Sequence, residues 1–219
     1  MAGDKLEWMT NSAYSHVDEA QALRSLIKDC DKLLLYGAYT ASLSRFLARG
    51  KNRVDAVSTH ETRGHVDKTY QGLENIPKDT LYDAIILAWP TPNDHDRNTL
   101  QGLKKHLEGE GVLLVETPRE TSEYTQILSN LVPHVPSRMV QRRQQLQETL
   151  LALFTVQRYR VETRYMFKKR RAFIEYFDEH IYHERGERLE PDEKDTLRKL
   201  EQRYDIENIQ EQTYIYLCR

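Results

Sequence analysis

Two histidines stand where a proton acceptor would be useful. His95 closes the loop Trp89-Pro-Thr-Pro-Asn-Asp-His95 after an apolar run, and His60 follows a second short apolar run. An imidazole titrates near neutral pH and can take a proton from a reacting group. A solvated loop histidine hydrogen-bonded to Asp94 or Asp96 is the plainer reading of His95. Glu116 and Thr117 end the run Val112-Leu-Leu-Val-Glu116. A carboxylate there can take part in chemistry or simply accept nearby backbone N–H groups, and the structural role is the expectation.

His180 and His183 are three residues apart with Glu184 beside them, so one side of a helix can gather all three. The spacing is not HExxH and no independent third ligand is identifiable. Asp94 and Asp96 form no recognised carboxylate motif, so no metal is expected. Arg142-Arg143 and Lys168-Lys-Arg-Arg171 are local basic clusters, and Arg158, Arg160 and Arg164 alternate along a predicted strand toward one solvated face. Clustered cations can support phosphate contacts without establishing sequence recognition. No RNP, zinc-finger or helix-turn-helix signal accompanies them, and nucleic acid is not the expected partner.

The elements that must position these groups follow from apolar spacing. Val17, Ala20, Leu23, Leu26 and Ile27 recur at three and four, which predicts one helical face between Ser15 and Cys30. Lys32-Leu-Leu-Leu-Tyr36 is a short strand ending at Gly37, and Leu43, Phe46 and Leu47 resume helical spacing until Gly50. Arg53 to Ser58 reads as a second strand, the polar stretch from Thr59 to Lys68 has room for a short helix, and Tyr70 to Thr80 reads as loop. Tyr82-Asp-Ala-Ile-Ile-Leu-Ala88 is apolar without alternation, as a parallel strand covered on both faces requires. Thr99 to Leu107 predicts a helix with Leu100, Leu103 and Leu107 inward, and Gly109-Glu-Gly111 a turn into the next strand. Helices follow over Ser122 to Leu131, Met139 to Phe154, Arg171 to His183 and from Pro191. Strands are expected at Tyr159 to Phe167 and Gln212 to Cys218, antiparallel to one another. Strands separated by helices imply parallel pairing and right-handed crossovers, hence a doubly wound α/β sheet.

This layout resembles the class I S-adenosylmethionine-dependent methyltransferases. Leu33-Leu-Leu-Tyr-Gly-Ala-Tyr-Thr-Ala-Ser-Leu-Ser44 is similar to that family's first motif, Tyr82 to Ala88 to its fourth-strand motif, and Leu103 to Val115 to the helix, turn and fifth strand that follow. The resemblance covers most of the chain and implies a mostly parallel seven-stranded sheet with an antiparallel terminal strand. It also implies a single domain over 1–219, with an N-terminal helix or lid over 1–30 and a helical insertion over 168–211. Trp8 and Tyr14 would belong to that lid or anchor it to the sheet.

The implied cofactor is S-adenosylmethionine, near Gly37, Tyr39, Ala41 and Ala88, with Ser58 on the ribose and Glu74 on the adenine side. His95 and His60 are the candidate proton acceptors. The chain departs from the family pattern at three places. Tyr39 and Ala41 stand where spaced glycines are usual, Ser58 falls where an acidic residue holds both ribose hydroxyls, and Gly72 falls at the adenine-side acidic position, with Glu74 displaced from it. A serine cannot reproduce a charged bidentate acceptor. Two readings stay open: methyl transfer to a small-molecule nucleophile, or a methyltransferase-like protein without conventional transfer, acting as a partner subunit or through altered chemistry.

Composition narrows the class without naming a partner. The 219 residues are 39% hydrophobic and 30% charged, with a formal charge of -2, which fits one globular core and gives no bulk attraction to nucleic acid. Cys30 and Cys218 supply neither a disulfide framework nor a metal clip. No apolar stretch approaches a bilayer span, so a cytoplasmic protein is expected, with a homo-oligomer or a protein partner left open.

Overall fold

The computed structural model describes residues 9, 13, 15–37, 40–48, 52–57, 66–88, 96–119 and 121–219. Helix α1 (His16–Leu26) leads into strand β1 (Lys32–Gly37), α2 (Thr40–Leu47), β2 (Arg53–Val57) and β3 (Lys68–Tyr70). A 3-10 turn at Leu73–Asn75 precedes β4 (Tyr82–Ala88), α3 (Arg97–Lys105) and β5 (Leu107–Pro118). Then come α4 (Glu123–Leu131), α5 (His134–Leu153), β6 (Val156–Tyr165), α6 (Arg170–Arg185), α7 (Pro191–Arg203) and β7 (Ile209–Cys218).

The seven strands form one sheet in the order β3-β2-β1-β4-β5-β7-β6. Pairs β1 to β2, β1 to β4, β2 to β3 and β4 to β5 are parallel, and β7 runs antiparallel to β5. The order reverses beside β1, so the carboxyl ends of β1 and β4 flank the crevice in which such sheets bind ligands. This is the doubly wound, mostly parallel architecture expected from the sequence.

The chain divides into two compact units. The first comprises His16–Pro118, Arg142–Val161 and Thr213–Arg219. Its sheet is covered on both faces, which is why Leu33, Leu34 and Leu35 are all fully buried. Leu23 from α1, Ile27 just after it, and Leu43 and Leu47 from α2 cover one face, with Leu33, Leu35 and Leu114. Leu100, Leu103, Leu146 and Leu150 from α3 and α5 cover the other, with Leu34, Val115 and Tyr216.

The second unit comprises Met1–Ser15, Arg119–Gln141 and Glu162–Gln212. It is built on aromatic packing: Tyr124 stacks on Tyr165 at 4.5 Å, and Phe173 meets Phe167 edge-on at 5.5 Å. Phe173, Phe177 and Ile181 face inward along α6. Arg188 joins Asp178 at 2.7 Å and Glu179 at 3.1 Å, which holds the turn after α6 against that helix.

Several local expectations are corrected. Val17 is exposed and Glu19 is buried, so the inward seam of α1 is Glu19, Ala20 and Leu23, continued by Ile27 just past its end. Residues 68–70 form a strand where the sequence reading has the end of a polar stretch and the start of a loop, because Thr69 and Tyr70 pair with Ala56 and Val57. Leu107 opens β5 instead of closing α3. Gly109 to Gly111 lie within β5, where the register with β4 shifts between Tyr82 and Ala84. Helix α5 begins at His134, five residues before the expected start. Among the described residues no helix is long and apolar enough to cross a membrane.

Candidate functional site

Gly37 ends β1 with φ of 102°, a conformation that L side chains rarely adopt. It pairs in register with Ala88, the last residue of β4. A Cβ at Gly37 would run into the Ala88 carbonyl oxygen. Glycine is therefore required twice over, by backbone conformation and by the closeness of the neighbouring strand. Helix α2 starts three residues later, and the Ala41 backbone lies in its first turn.

Glu116 lies at the same end of the sheet, since Leu87 of β4 pairs with Val115 of β5 one residue earlier on each strand. It follows Leu114 on the face covered by α1, and Glu19, one turn before Leu23, comes from that helix. Both carboxyl groups are fully buried. Neither Glu116 oxygen receives a hydrogen bond from a donor among the described residues. The backbone-acceptor role expected for Glu116 is thus overturned.

Burial first, then the negative charge of Glu19 and a carboxyl-to-carboxyl hydrogen bond with it, push the Glu116 pKa well above the ordinary range. The protonated form of Glu116 is thus favoured relative to a solvated glutamate. A cation entering here would favour the ionised form, so the site can accept positive charge.

Asp55, the acidic residue of β2, is buried and fully engaged: Arg53 donates to it at 3.0 and 3.1 Å, and the Tyr82 hydroxyl at 2.9 Å. It fastens the strand and is not available as a ribose acceptor. Glu74 is exposed in the 3-10 turn, and its carboxylate folds back over Gly72, into the space a Cβ there would need. Tyr39, Ser58, His60 and His95 lie outside the described residues, as do Trp8 and Tyr14.

His180 accepts or donates one hydrogen bond at Nδ1, 2.9 Å from the Tyr124 hydroxyl, within the aromatic core of the second unit. Among the described residues no group of three His, Cys, Asp or Glu side chains could hold a metal ion. Arg158, Arg160 and Arg164 are all exposed along β6, as the alternation predicts.

Sequence reasoning missed Glu19. A signal was present: it stands four residues before Leu23 and eight before Ile27, so it interrupts the apolar seam with a charge.

No protein-family profile matches the chain, and no curated protein matches it. Solved structures do. A Klebsiella pneumoniae structure provisionally described as an O-methyltransferase is similar over 99% of this chain and 89% of its own, at 11% identity and a TM-score of 0.51. The fold is that of class I S-adenosylmethionine-dependent methyltransferases. The O-methyltransferase TomG from Streptomyces achromogenes, solved in complex with SAM, is similar over 98% of this chain and 88% of its own, at 11% identity and a TM-score of 0.49. An O-methyltransferase from Bacillus cereus in complex with SAH is similar over 92% of this chain and 80% of its own, at 11% identity and a TM-score of 0.49.

Proposed function

We propose that this protein transfers the methyl group of S-adenosylmethionine to a small-molecule nucleophile. The observation that carries the reading is the Gly37 turn, held against Ala88 at the switch in strand order and accompanied by the buried Glu19 and Glu116 carboxyls. The donor set fits a cationic cofactor. Glu116 lacks a donor among the described residues, and S-adenosylmethionine carries both an ammonium and a sulfonium.

In this reading the Gly37 turn and the backbone of the first turn of α2 approach the methionine portion, with Ala88 on the facing strand. Ser58 and Glu74 serve the ribose and adenine sides. When bound, the cofactor supplies an electrophilic methyl group. The chain's own residues position the acceptor and exclude water, a contribution that can dominate the rate without a dedicated nucleophile. His60 or His95 takes the acceptor's proton where the acceptor is a hydroxyl.

A second reading is favoured by Asp55. Its engagement by Arg53 and Tyr82 leaves β2 without an acidic residue for the ribose in its described part, which suits a methyltransferase-like protein lacking conventional transfer. A partner-subunit role has less support. Between Met139 and Leu200 the large apolar side chains exposed among the described residues are Leu151 on α5 and Met166 after β6, and they do not form a stripe along one helix.

Incubation with methyl-labelled S-adenosylmethionine and a set of small hydroxyl and amine acceptors tests the proposal. Label transfer above the acceptor-free background is expected. Cofactor binding without transfer to any acceptor would favour the second reading.

A further inference from the structure

Helices α6 and α7 of the second unit form a hairpin whose two ends carry opposite charge. Arg170 at the start of α6 pairs with Glu201 near the end of α7, which fixes those two ends side by side. The turn over 186–190 joins the other two.

Ion pairs within the hairpin leave uncompensated charge at both ends. At the first, Arg170 is matched by Glu201, Arg171 by Glu175 and Arg198 by Asp195. Lys168, Lys169, Lys199 and Arg203 are exposed there and have no carboxylate partner among the described residues. Asp205 and Glu207, which follow α7, reduce this excess without cancelling it. At the other end Arg185 pairs with Glu193, Arg188 with Asp178 and Glu179, and Lys194 with Asp178. Glu187, Glu190 and Asp192 are exposed and have no cation partner among the described residues.

The acidic end has a local reason, since Glu190 caps α7 and Asp192 stands in its first turn. The basic end has none. Helix α6 opens on Lys168 to Arg171 with no acidic residue in its first turn, where cations oppose the helix dipole.

We propose that a second copy of this chain docks on the hairpin antiparallel to the first, about a two-fold axis. Lys168 and Lys169 of each copy then face Glu187 and Asp192 of the other, and the symmetry makes every such contact twice. A parallel arrangement would set like charges against each other, so charge selects the antiparallel one. A polyanion would suit the basic end and be repelled by the acidic one. The net charge of -2 puts little bulk repulsion between copies. Sixteen residues of α6 span about 24 Å, and two packed helices about 20 Å across. Such a face buries roughly 1,000 Å² over both copies, at the lower limit for a specific interface, so the dimer is weak and salt-sensitive.

Sedimentation velocity of the full chain over about a hundredfold range of concentration, at low and high salt, tests this. A monomer–dimer equilibrium that shifts toward monomer as salt rises is expected. Lys168→Glu with Lys169→Glu should raise the dimer Kd about tenfold or more, and Glu187→Lys with Asp192→Lys should do the same. All four positions are exposed, and circular dichroism confirms that each variant is folded. Mixed in equal amounts, the two variants should associate as tightly as wild type, because reversed ends then meet reversed ends and native ends meet native ends.

A wild type that stays monomeric, a dimer unmoved by either reversal, or folded variants that fail to associate on mixing would overturn the proposal. A monomer that binds phosphatidylserine vesicles through Lys168 and Lys169 would also overturn it, assigning the basic end to an anionic membrane surface. The proposal does not rest on methyl transfer, and no arm of the test uses the cofactor.

Discussion

Gly37 and Ala88 lie side by side at the carboxyl ends of β1 and β4, so close that the Ala88 carbonyl occupies the place of a Cβ on Gly37. A Gly37→Ala change therefore meets both a disfavoured backbone and a contact with main chain that cannot swing away. We expect it to lower stability by about 2–4 kcal/mol, read as the shift in a urea unfolding midpoint. A stability equal to wild type would mean that the turn is not held as described.

The Glu19 and Glu116 pair makes a prediction with a definite sign. The folded state holds a proton on Glu116 at pH values where the unfolded chain has lost it, above the ordinary 4.5. The native state then binds more protons than the unfolded one, so stability falls as pH rises through that window, by about 1.4 kcal/mol per unit. In Glu116→Gln the amide replaces the protonated carboxyl and donates to Glu19. Unfolding curves from pH 5 upward should show the variant gaining on wild type as pH rises. Parallel curves would remove the proton from Glu116.

Glu211 offers an independent case in the second unit. It is fully buried in β7, accepts from the Gln212 backbone N–H at 2.8 Å, and burial pushes its pKa up to about 8. The stability it confers relative to its ionised form is complete below about pH 4.5 and is lost as pH climbs toward 8. Glu211→Gln should flatten the pH dependence across that range and leave the protein more stable than wild type at pH 8. A variant that is less stable at pH 8 would show that the ionised carboxylate is the native form.

Asp55 and Tyr82 separate structure from function. Tyr82→Phe removes the 2.9 Å hydrogen bond to a buried carboxylate and should cost about 1–2 kcal/mol in chemical denaturation. Cofactor affinity should not move, because the account assigns Asp55 to fastening the strand. A matching loss of cofactor affinity would place Asp55 in the binding site after all.

How legible this was in the sequence depends on which physical signal each element carries. Tyr82 to Ala88 could be read directly, since a strand covered on both faces needs an unbroken apolar run. Strand β3 could not, because a three-residue edge strand buries only Tyr70 and carries no periodicity to detect. The Gly109 to Gly111 segment read as a turn because glycine marks turns and strand irregularities alike, and only the register with Tyr82 distinguishes them. At the site, Gly37 was visible from its place after β1. The Glu19 contact was not, because it joins residues 97 positions apart in sequence and shows up locally only as a charge in an apolar seam.

The most direct measurement is calorimetric titration of the purified protein with S-adenosylmethionine and S-adenosylhomocysteine, with Glu116→Leu alongside. Saturable binding of both at one site per chain, with S-adenosylmethionine weakened in the variant, is the predicted result. A folded wild-type protein that takes up neither compound would contradict the account and leave the methyltransferase fold without its cofactor.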